Sequence, residues 1–256
     1  MMTAKNHQNS IPDCHAIIPA RYQSSRFPGK PLADICGRPM IWHVFERARQ
    51  CPVLSSVVLA TDDERIRSVA EKYDIPVAMT RQDHPSGTDR VLEAAQKMNL
   101  PAESVVINIQ GDEPVLEPAM LTELVQPFNK PEIRATTLAG PISARQAASP
   151  DQVKVVFAPD GTALYFSRSP VPFHRQVSND NFYGHIGIYA FRMHVLEKFV
   201  GLGPSRLEVT EKLEQLRLLE NNIPVHVVLT DYQSIAVDRP EDIHVVEQIV
   251  LETMKR

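Results

Sequence analysis

The feature that most constrains the fold is a repeated alternation, through the first half of the chain, of short apolar runs and longer amphipathic stretches. The runs are Ala16-Ile17-Ile18-Pro19, Ser56-Val57-Val58-Leu59-Ala60, Pro76 to Thr80, and Ser104-Val105-Val106-Ile107-Asn108-Ile109-Gln110. A half-exposed strand alternates apolar with polar residues, whereas a strand buried on both faces does not. Between the runs, Met40 to Gln50 places Ile41, Val44, Phe45 and Ala48 on one helical face, with Pro39 suited to a first turn. Asp62 to Tyr73 aligns Ile66, Val69, Ala70 and Tyr73 behind an acidic first turn. Thr88 to Met98 and Glu117 to Phe128 are the next two helices. This pattern predicts an α/β fold with a mostly parallel sheet sandwiched by helices. Ligands in such sheets sit beyond the carboxyl ends of the strands. Three polar loops stand there: Arg21–Lys30, Asp83–Arg90 and Gly111–Pro114.

The second half reads differently. Val153 to Ala158 and Thr162 to Ser167 are strands joined by a Pro159-Asp160-Gly161 turn. Phe182 to Arg192 is a further strand and Arg206 to Asn221 one Leu- and Glu-rich helix. Ile223 to Leu229 is a strand, Val237-Asp238 follows a strand, and Pro240 opens a final helix. Residues 13–256 form one domain after a loose extension at 1–12. Roughly residues 140–200 are expected as a sub-domain excursion, a place for a second substrate or a subunit partner.

Charge excludes one class of function. Lys+Arg 27 against Asp+Glu 31 leaves −4, so no basic nucleic-acid surface is indicated. No stretch reaches the roughly 20 apolar residues of a membrane span. The polar residues Met1 to Asp13 hold no signal-peptide core. Cys14, Cys36 and Cys51 share no C-x-x-C spacing, which points to reduced thiols in a cytoplasmic protein.

Five constellations carry chemistry. Arg21, Arg26 and Lys30 follow the first strand within ten residues, and Gly29 permits close backbone approach. A polyphosphate needs such cations and backbone N–H groups. The spacing matches neither G-x-x-x-x-G-K-S/T nor G-x-G-x-x-G, which disfavours a P-loop ATPase and a nicotinamide dehydrogenase. A solvated basic loop would look the same. Asn108-Ile109-Gln110-Gly111-Asp112-Glu113-Pro114 runs a strand into an acidic tip suited to Mg²⁺, and equally resembles an ordinary Gly-Asp turn. Asp238 is either a second metal ligand or a helix-terminus charge. Ser86-Gly87-Thr88 caps a helix, contacts a ligand, or both. His185 and Tyr189 lie four apart on one strand face, with Glu214 and Gln215 on the later helix. Such groups match a polyhydroxylated ligand, or a hydrogen-bonded core.

Together these segments resemble the 3-deoxy-manno-octulosonate (Kdo) cytidylyltransferases, the CMP-Kdo synthetases of bacterial lipopolysaccharide synthesis. The resemblance spans almost all of residues 15–250, in motif order. It rests on Ile18-Pro19-Ala20-Arg21, Ser25-Arg26-Phe27-Pro28-Gly29-Lys30-Pro31-Leu32, Ala60-Thr61-Asp62-Asp63, Ser86-Gly87-Thr88-Asp89-Arg90 and Gln110-Gly111-Asp112-Glu113-Pro114. Ala163 to Arg168, His185 to Tyr189, Leu213 to Arg217 and Val237-Asp238 complete it.

The resemblance implies the nucleotide-diphospho-sugar transferase fold with a smaller dimerisation region, and a homodimer. It implies that Arg21 and Lys30 meet the phosphates of CTP, with Arg26 near the reacting groups. Pro19, Ala20, Ser86, Gly87, Thr88 and Arg90 would hold the nucleotide. Asp112 and Asp238 would hold catalytic Mg²⁺. Arg26, Gln110, His185, Tyr189, Glu214 and Gln215 would line the sugar pocket. Two positions depart from the family pattern. Arg239 stands where a Thr would cap the last helix, and Gly184 stands where Arg is frequent, beside the sugar pocket. The second leaves 8-amino-Kdo or another acidic ulosonate, such as sialic acid, open as the substrate. A hexose-1-phosphate uridylyltransferase would open on a glycine-rich loop, which Ala20 and the long Arg21–Lys30 spacing oppose. A non-catalytic nucleotide-binding protein of the same fold would be marked by loss of Lys30, Asp112 or Asp238, and all three are present.

Overall fold

A computed structural model describes residues 11–23, 27–175, 182–233 and 235–254. The chain opens with β1 (Cys14–Ala20), a 3-10 turn at Lys30–Leu32, and a small hairpin of β2 (Asp34–Ile35) and β3 (Arg38–Pro39). Then follow α1 (Met40–Arg49), β4 (Leu54–Thr61), α2 (Glu64–Lys72), β5 (Val77–Met79), α3 (Gly87–Lys97), β6 (Val105–Asn108) and α4 (Pro118–Val125). The later elements are β7 (Ala135–Ile142), α5 (Ala144–Ala147), β8 (Lys154–Phe157), β9 (Ala163–Ser167), β10 (Phe182–Arg192), α6 (Met193–Gly201), α7 (Arg206–Glu211), α8 (Leu216–Glu220), β11 (His226–Leu229) and α9 (Ile243–Met254).

The main sheet runs β11-β7-β10-β6-β1-β4-β5. Its strands are parallel except β10, which runs antiparallel to both β6 and β7. The expected mostly parallel α/β sheet is therefore present. Both faces are buried, which is why the strands lack alternation. Along β1, Ala16, Ile18 and Ala20 enter a core shared with α1, α2 and α4, while Ile17 enters a second core shared with α3, α6 and α8. The chain moves outward from β1 through β4 to β5, then returns to β6 on the other side of β1. That reversal opens a crevice between the carboxyl ends of β1 and β6.

Four expectations change. The helix expected over Arg206–Asn221 is two helices, because Lys212 adopts a left-handed φ of 56° and ends the first. Among the described residues no strand directly precedes Asp238; residues 235–238 belong to no regular element, and the Val237 N–H donates to the Asp112 carbonyl at 2.8 Å. Strand β7 and helix α6 were not expected. β7 is rich in small residues and carries Gly140 and Pro141, which weaken a strand signal. The cap that Arg239 cannot supply is partly replaced, because the Asp242 carboxylate accepts from the N–H groups of Asp238 and Arg239, both at 2.8 Å. Among the described residues no helix is long and apolar enough to cross a membrane.

Candidate active site

The crevice beyond β1 and β6 holds a cavity of about 280 Å³ lined by Pro19, Ala20, Arg21, Lys30, Gly87, Gln110 and Asp112, among others. Close approach of two loops forms its floor. A Cβ on Gly111 would lie 2.9 Å from the Pro19 carbonyl oxygen, so the loop after β6 can press against the end of β1 only with glycine there. Lys30 rises from its 3-10 turn between the two acidic residues. Its Nζ lies 2.5 Å from Asp112 Oδ2 and 3.9 Å from Asp238 Oδ1, and donates to the Val237 carbonyl at 2.9 Å. Residues far apart in sequence thus form one cation–dicarboxylate cluster. Arg21, which lines the cavity, has its Nη2 buried without a hydrogen-bond partner among the described residues, an uncompensated donor. Arg26 lies outside the described residues.

The Ser86–Arg90 loop divides its work. Ser86 caps α3: its Oγ accepts from Asp89 N–H at 3.2 Å and donates to Asp89 Oδ2 at 2.5 Å. Gly87 lines the cavity. Arg90, expected to hold the nucleotide, is fully buried and does not line the cavity. Its guanidinium pairs with Asp62 at 2.8 Å and donates to Thr80. Burial pushes that guanidinium down, Asp62 partly offsets the shift, and nearby Arg21 adds to it. Arg90 therefore contributes positive charge from behind the cavity lining. Thr88 points its hydroxyl at Glu214 Oε2, 2.8 Å away, and so ties the Ser86–Arg90 loop to the other half of the site.

That second half is built on a distortion of β10. In a regular strand, residues four apart stand about 13 Å from each other. Here the ring centroids of His185 and Tyr189 are 5.3 Å apart. The register against β7 slips between Ile186 and Tyr189, so β10 bulges and folds the two rings together. The bulge also turns the Gly187 carbonyl toward Gln110, whose Nε2 donates to it at 3.2 Å. His185 Nε2 contacts Thr137 Oγ1 at 2.9 Å. Burial lowers the His185 imidazole to about 3, so the ring is neutral at physiological pH. Burial, with Glu214 nearby, pushes the Tyr189 phenol well up, and its oxygen is buried without a well-formed hydrogen bond. Gln215 is buried at the start of α8, just past the helix break that places Glu214.

Two participants received no role from the sequence pattern. Thr137 belongs to the unexpected strand β7. Asn108, 3% exposed, stood inside an apolar run, where a polar residue in a buried strand was its only signal. Its Nδ2 donates to Thr88 Oγ1 at 3.3 Å. The departure at Gly184 also has a structural counterpart. A Cβ there would lie 2.7 Å from Ile142 Cγ2 and 2.8 Å from Gln152 Nε2, so Gln152 already fills the space beside that position.

The acidic residues fit a hard divalent cation in part. Among the described residues no group of three or more His, Cys, Asp or Glu side chains gathers as a metal site. Asp112 and Asp238 do converge on one cation, the Lys30 ammonium, and both offer oxygen ligands. Mg²⁺ commonly takes one or two protein carboxylates and completes its shell with water and substrate phosphate oxygens. Two carboxylates that converge beside the cavity meet that requirement.

Comparison with known proteins gives a consistent picture. The model of the family described as cytidylyltransferase matches residues 15–234. A 3-deoxy-manno-octulosonate cytidylyltransferase of Nitratidesulfovibrio vulgaris is 58% identical over 243 residues, covering 93% of this chain and 96% of the relative. The protein of the same name from Oleidesulfovibrio alaskensis is 59% identical over 241 residues, covering 93% and 97%. Among solved structures, a CMP:2-keto-3-deoxy-manno-octonic acid synthetase complexed with CTP superposes with a TM-score of 0.89 at 41% identity, covering 94% of this chain and 99% of that one.

Proposed function

This chain belongs to the cytidylyltransferase family, and from that premise we propose that it transfers CMP from CTP to 3-deoxy-D-manno-octulosonate, giving CMP-Kdo and pyrophosphate for lipopolysaccharide synthesis. The observation that carries this reading is the position of Lys30, between Asp112 and Asp238, in a crevice that also holds the unpaired buried nitrogen of Arg21. A non-catalytic nucleotide binder has no use for two acidic residues facing a phosphate site.

The reaction is an in-line displacement. The anomeric C2 hydroxyl attacks the α-phosphorus of CTP, and the α–β bridging oxygen leaves with its electron pair on pyrophosphate. Arg21 and Lys30 neutralise the charge that grows on the leaving group. Asp112 and Asp238 would hold Mg²⁺, which when bound supplies positive charge at the α-phosphate and favours ionisation of the attacking hydroxyl. Without substrate, Lys30 keeps the two carboxylates together against their mutual repulsion. On nucleotide binding the ammonium exchanges carboxylate for phosphate. The Gly87 loop and the Pro19-Ala20 backbone shape the nucleotide side of the crevice. Gln110, His185, Tyr189, Glu214 and Gln215 receive the sugar, and Arg26 acts beside the reacting groups. The transfer is direct and needs no covalent enzyme intermediate.

The enzyme acts in the cytoplasm, where CTP is available, and as a homodimer. Support for the dimer is the strong exposure of Leu164 (62%) and Phe173 (88%) on and just after the β8–β9 hairpin.

Pyrophosphate release tests the reading, with CTP or UTP crossed against Kdo, 8-amino-Kdo and sialic acid, with and without Mg²⁺. Turnover is expected with CTP and Kdo and only with the metal. Preference for 8-amino-Kdo or sialic acid would move the substrate within the ulosonates. Activity confined to UTP and a hexose phosphate would overturn the assignment.

A further inference from the structure

Thr137 stands at the centre of the polar floor beneath the sugar side. Strand β10 is flanked by β6 and β7, and Tyr189 pairs in register with Asn108 on one side and Thr137 on the other. Residues directly opposite across neighbouring strands share a face. Three polar side chains therefore cross the middle of the sheet in one row, where apolar residues would otherwise pack.

Four polar groups surround Thr137 Oγ1: His185 Nε2 at 2.9 Å, the Ile188 carbonyl at 2.9 Å, the Ile186 carbonyl at 3.2 Å, and the Tyr189 phenol, which can donate to it. A hydroxyl has one proton and two lone pairs, whereas a carbonyl only accepts. If the Thr137 proton went to the imidazole, two carbonyl oxygens would face the hydroxyl oxygen with nothing to accept. The proton therefore goes to a carbonyl, and His185 Nε2–H donates to Thr137. Both carbonyls point there because the β10 bulge lifts residues 187 and 188 out of register with β7.

We propose that Thr137 is a positioning residue for sugar recognition: it holds His185 as the Nε2–H tautomer and leaves Nδ1 as the one acceptor of the ring, so the pocket selects a ligand hydroxyl that donates there. The choice of a sugar as that ligand rests on the function proposed above; the tautomer itself does not. A matching chain acts on the other side of the row. The Thr88 proton goes to the Glu214 carboxylate, so Asn108 must donate its amide N–H to Thr88, which leaves Asn108 Oδ1 buried and unpartnered. The row thus leaves, on the other side of Tyr189, a second acceptor without a protein partner.

The test reads the tautomer and the kinetics separately. Long-range proton–nitrogen NMR on the unliganded wild-type protein is expected to show His185 protonated at Nε2 alone. Thr137→Val, of equal shape, should yield a mixture of tautomers. It should raise KM for the sugar about tenfold, as expected for one lost hydrogen bond, with KM for CTP unchanged. Thr137→Ser should restore both the tautomer and the sugar KM. An Nδ1–H wild-type ring, an unchanged sugar KM in Thr137→Val, or equal impairment of Thr137→Ser and Thr137→Val would each overturn the proposal. A wild-type protein inert toward Kdo yet holding the Nε2–H tautomer would sink the substrate assignment and uphold the role of Thr137 toward His185.

Discussion

Lys30, Asp112 and Asp238 come from three separate stretches of chain, and their meeting explains why each alone was ambiguous. A lysine in a basic loop, an aspartate in a Gly-Asp turn and an aspartate near a helix start are all common. Asp112→Asn keeps the shape and the link to Lys30 but removes the charge. It should lower pyrophosphate release by roughly 10²-fold or more, a magnitude typical of losing an electrostatic contact to the transition state. Near-wild-type turnover in that variant would remove Asp112 from the metal site. Glu93 stands on α3, the helix that the Ser86–Arg90 loop opens. Burial raises its carboxyl, but Lys97, the Arg81 N–H and His84 outweigh this and hold it at about 2. The unfolded chain titrates near the ordinary glutamate value of about 4.3. A depressed folded pKa stabilises the protein above the unfolded value, and that stability is lost as pH falls toward about 2. Urea unfolding between neutral pH and pH near 3 should therefore show a steeper loss for wild type than for Glu93→Gln. Equal slopes would contradict the assignment.

Among elements, the ends and interruptions matter more than the regular interiors. The break at Lys212 turns one expected helix into two and places Glu214 against Thr88. The bulge in β10 brings together His185 and Tyr189, which a regular strand would hold apart. The last helical segment opens with the turn Pro240–Asp242, where the Asp242 carboxylate fixes the backbone carrying Asp238. Asp242→Ala should cost about 1 kcal/mol, as for other capping losses. In a protein of this size that is a fall of about 2–4 °C in melting temperature. Because the same bonds hold the Asp238 backbone, the variant should also need more Mg²⁺ for half-maximal activity. A lower melting temperature with an unchanged metal requirement would separate the cap from the site.

For the whole molecule, the crevice at the reversal point between β1 and β6 predicts that nucleotide binding is linked to global stability. CTP with Mg²⁺ should raise the melting temperature in proportion to the logarithm of ligand concentration, and Lys30→Met should abolish most of that rise. The apolar residues exposed at the β8–β9 hairpin bear on assembly. Replacing Leu164 and Phe173 together by Glu should give a monomer by light scattering, with its secondary structure retained. A dimer that persists would move the interface elsewhere.

Local pattern was enough to determine the alternating strands and helices from β1 to α4, the two-sided burial of the sheet, and the hairpin around Pro159-Asp160-Gly161. Each of these follows from periodicity and turn chemistry within a few residues. The basic loop at Arg21–Lys30 and the acidic tip at Asp112 were legible as types of chemistry for the same reason. Only the tertiary structure decided that Arg90 is buried and does not line the cavity, that β7 fills the sheet beside β10, and that Thr137 and Asn108 set the polarity of its floor. Those facts depend on register and on contacts between residues 20 to 126 positions apart, as in the bonds from Asn108 to Thr88 and from Thr88 to Glu214. A pattern read along one strand carries the face a side chain takes, but not the partner that meets it there.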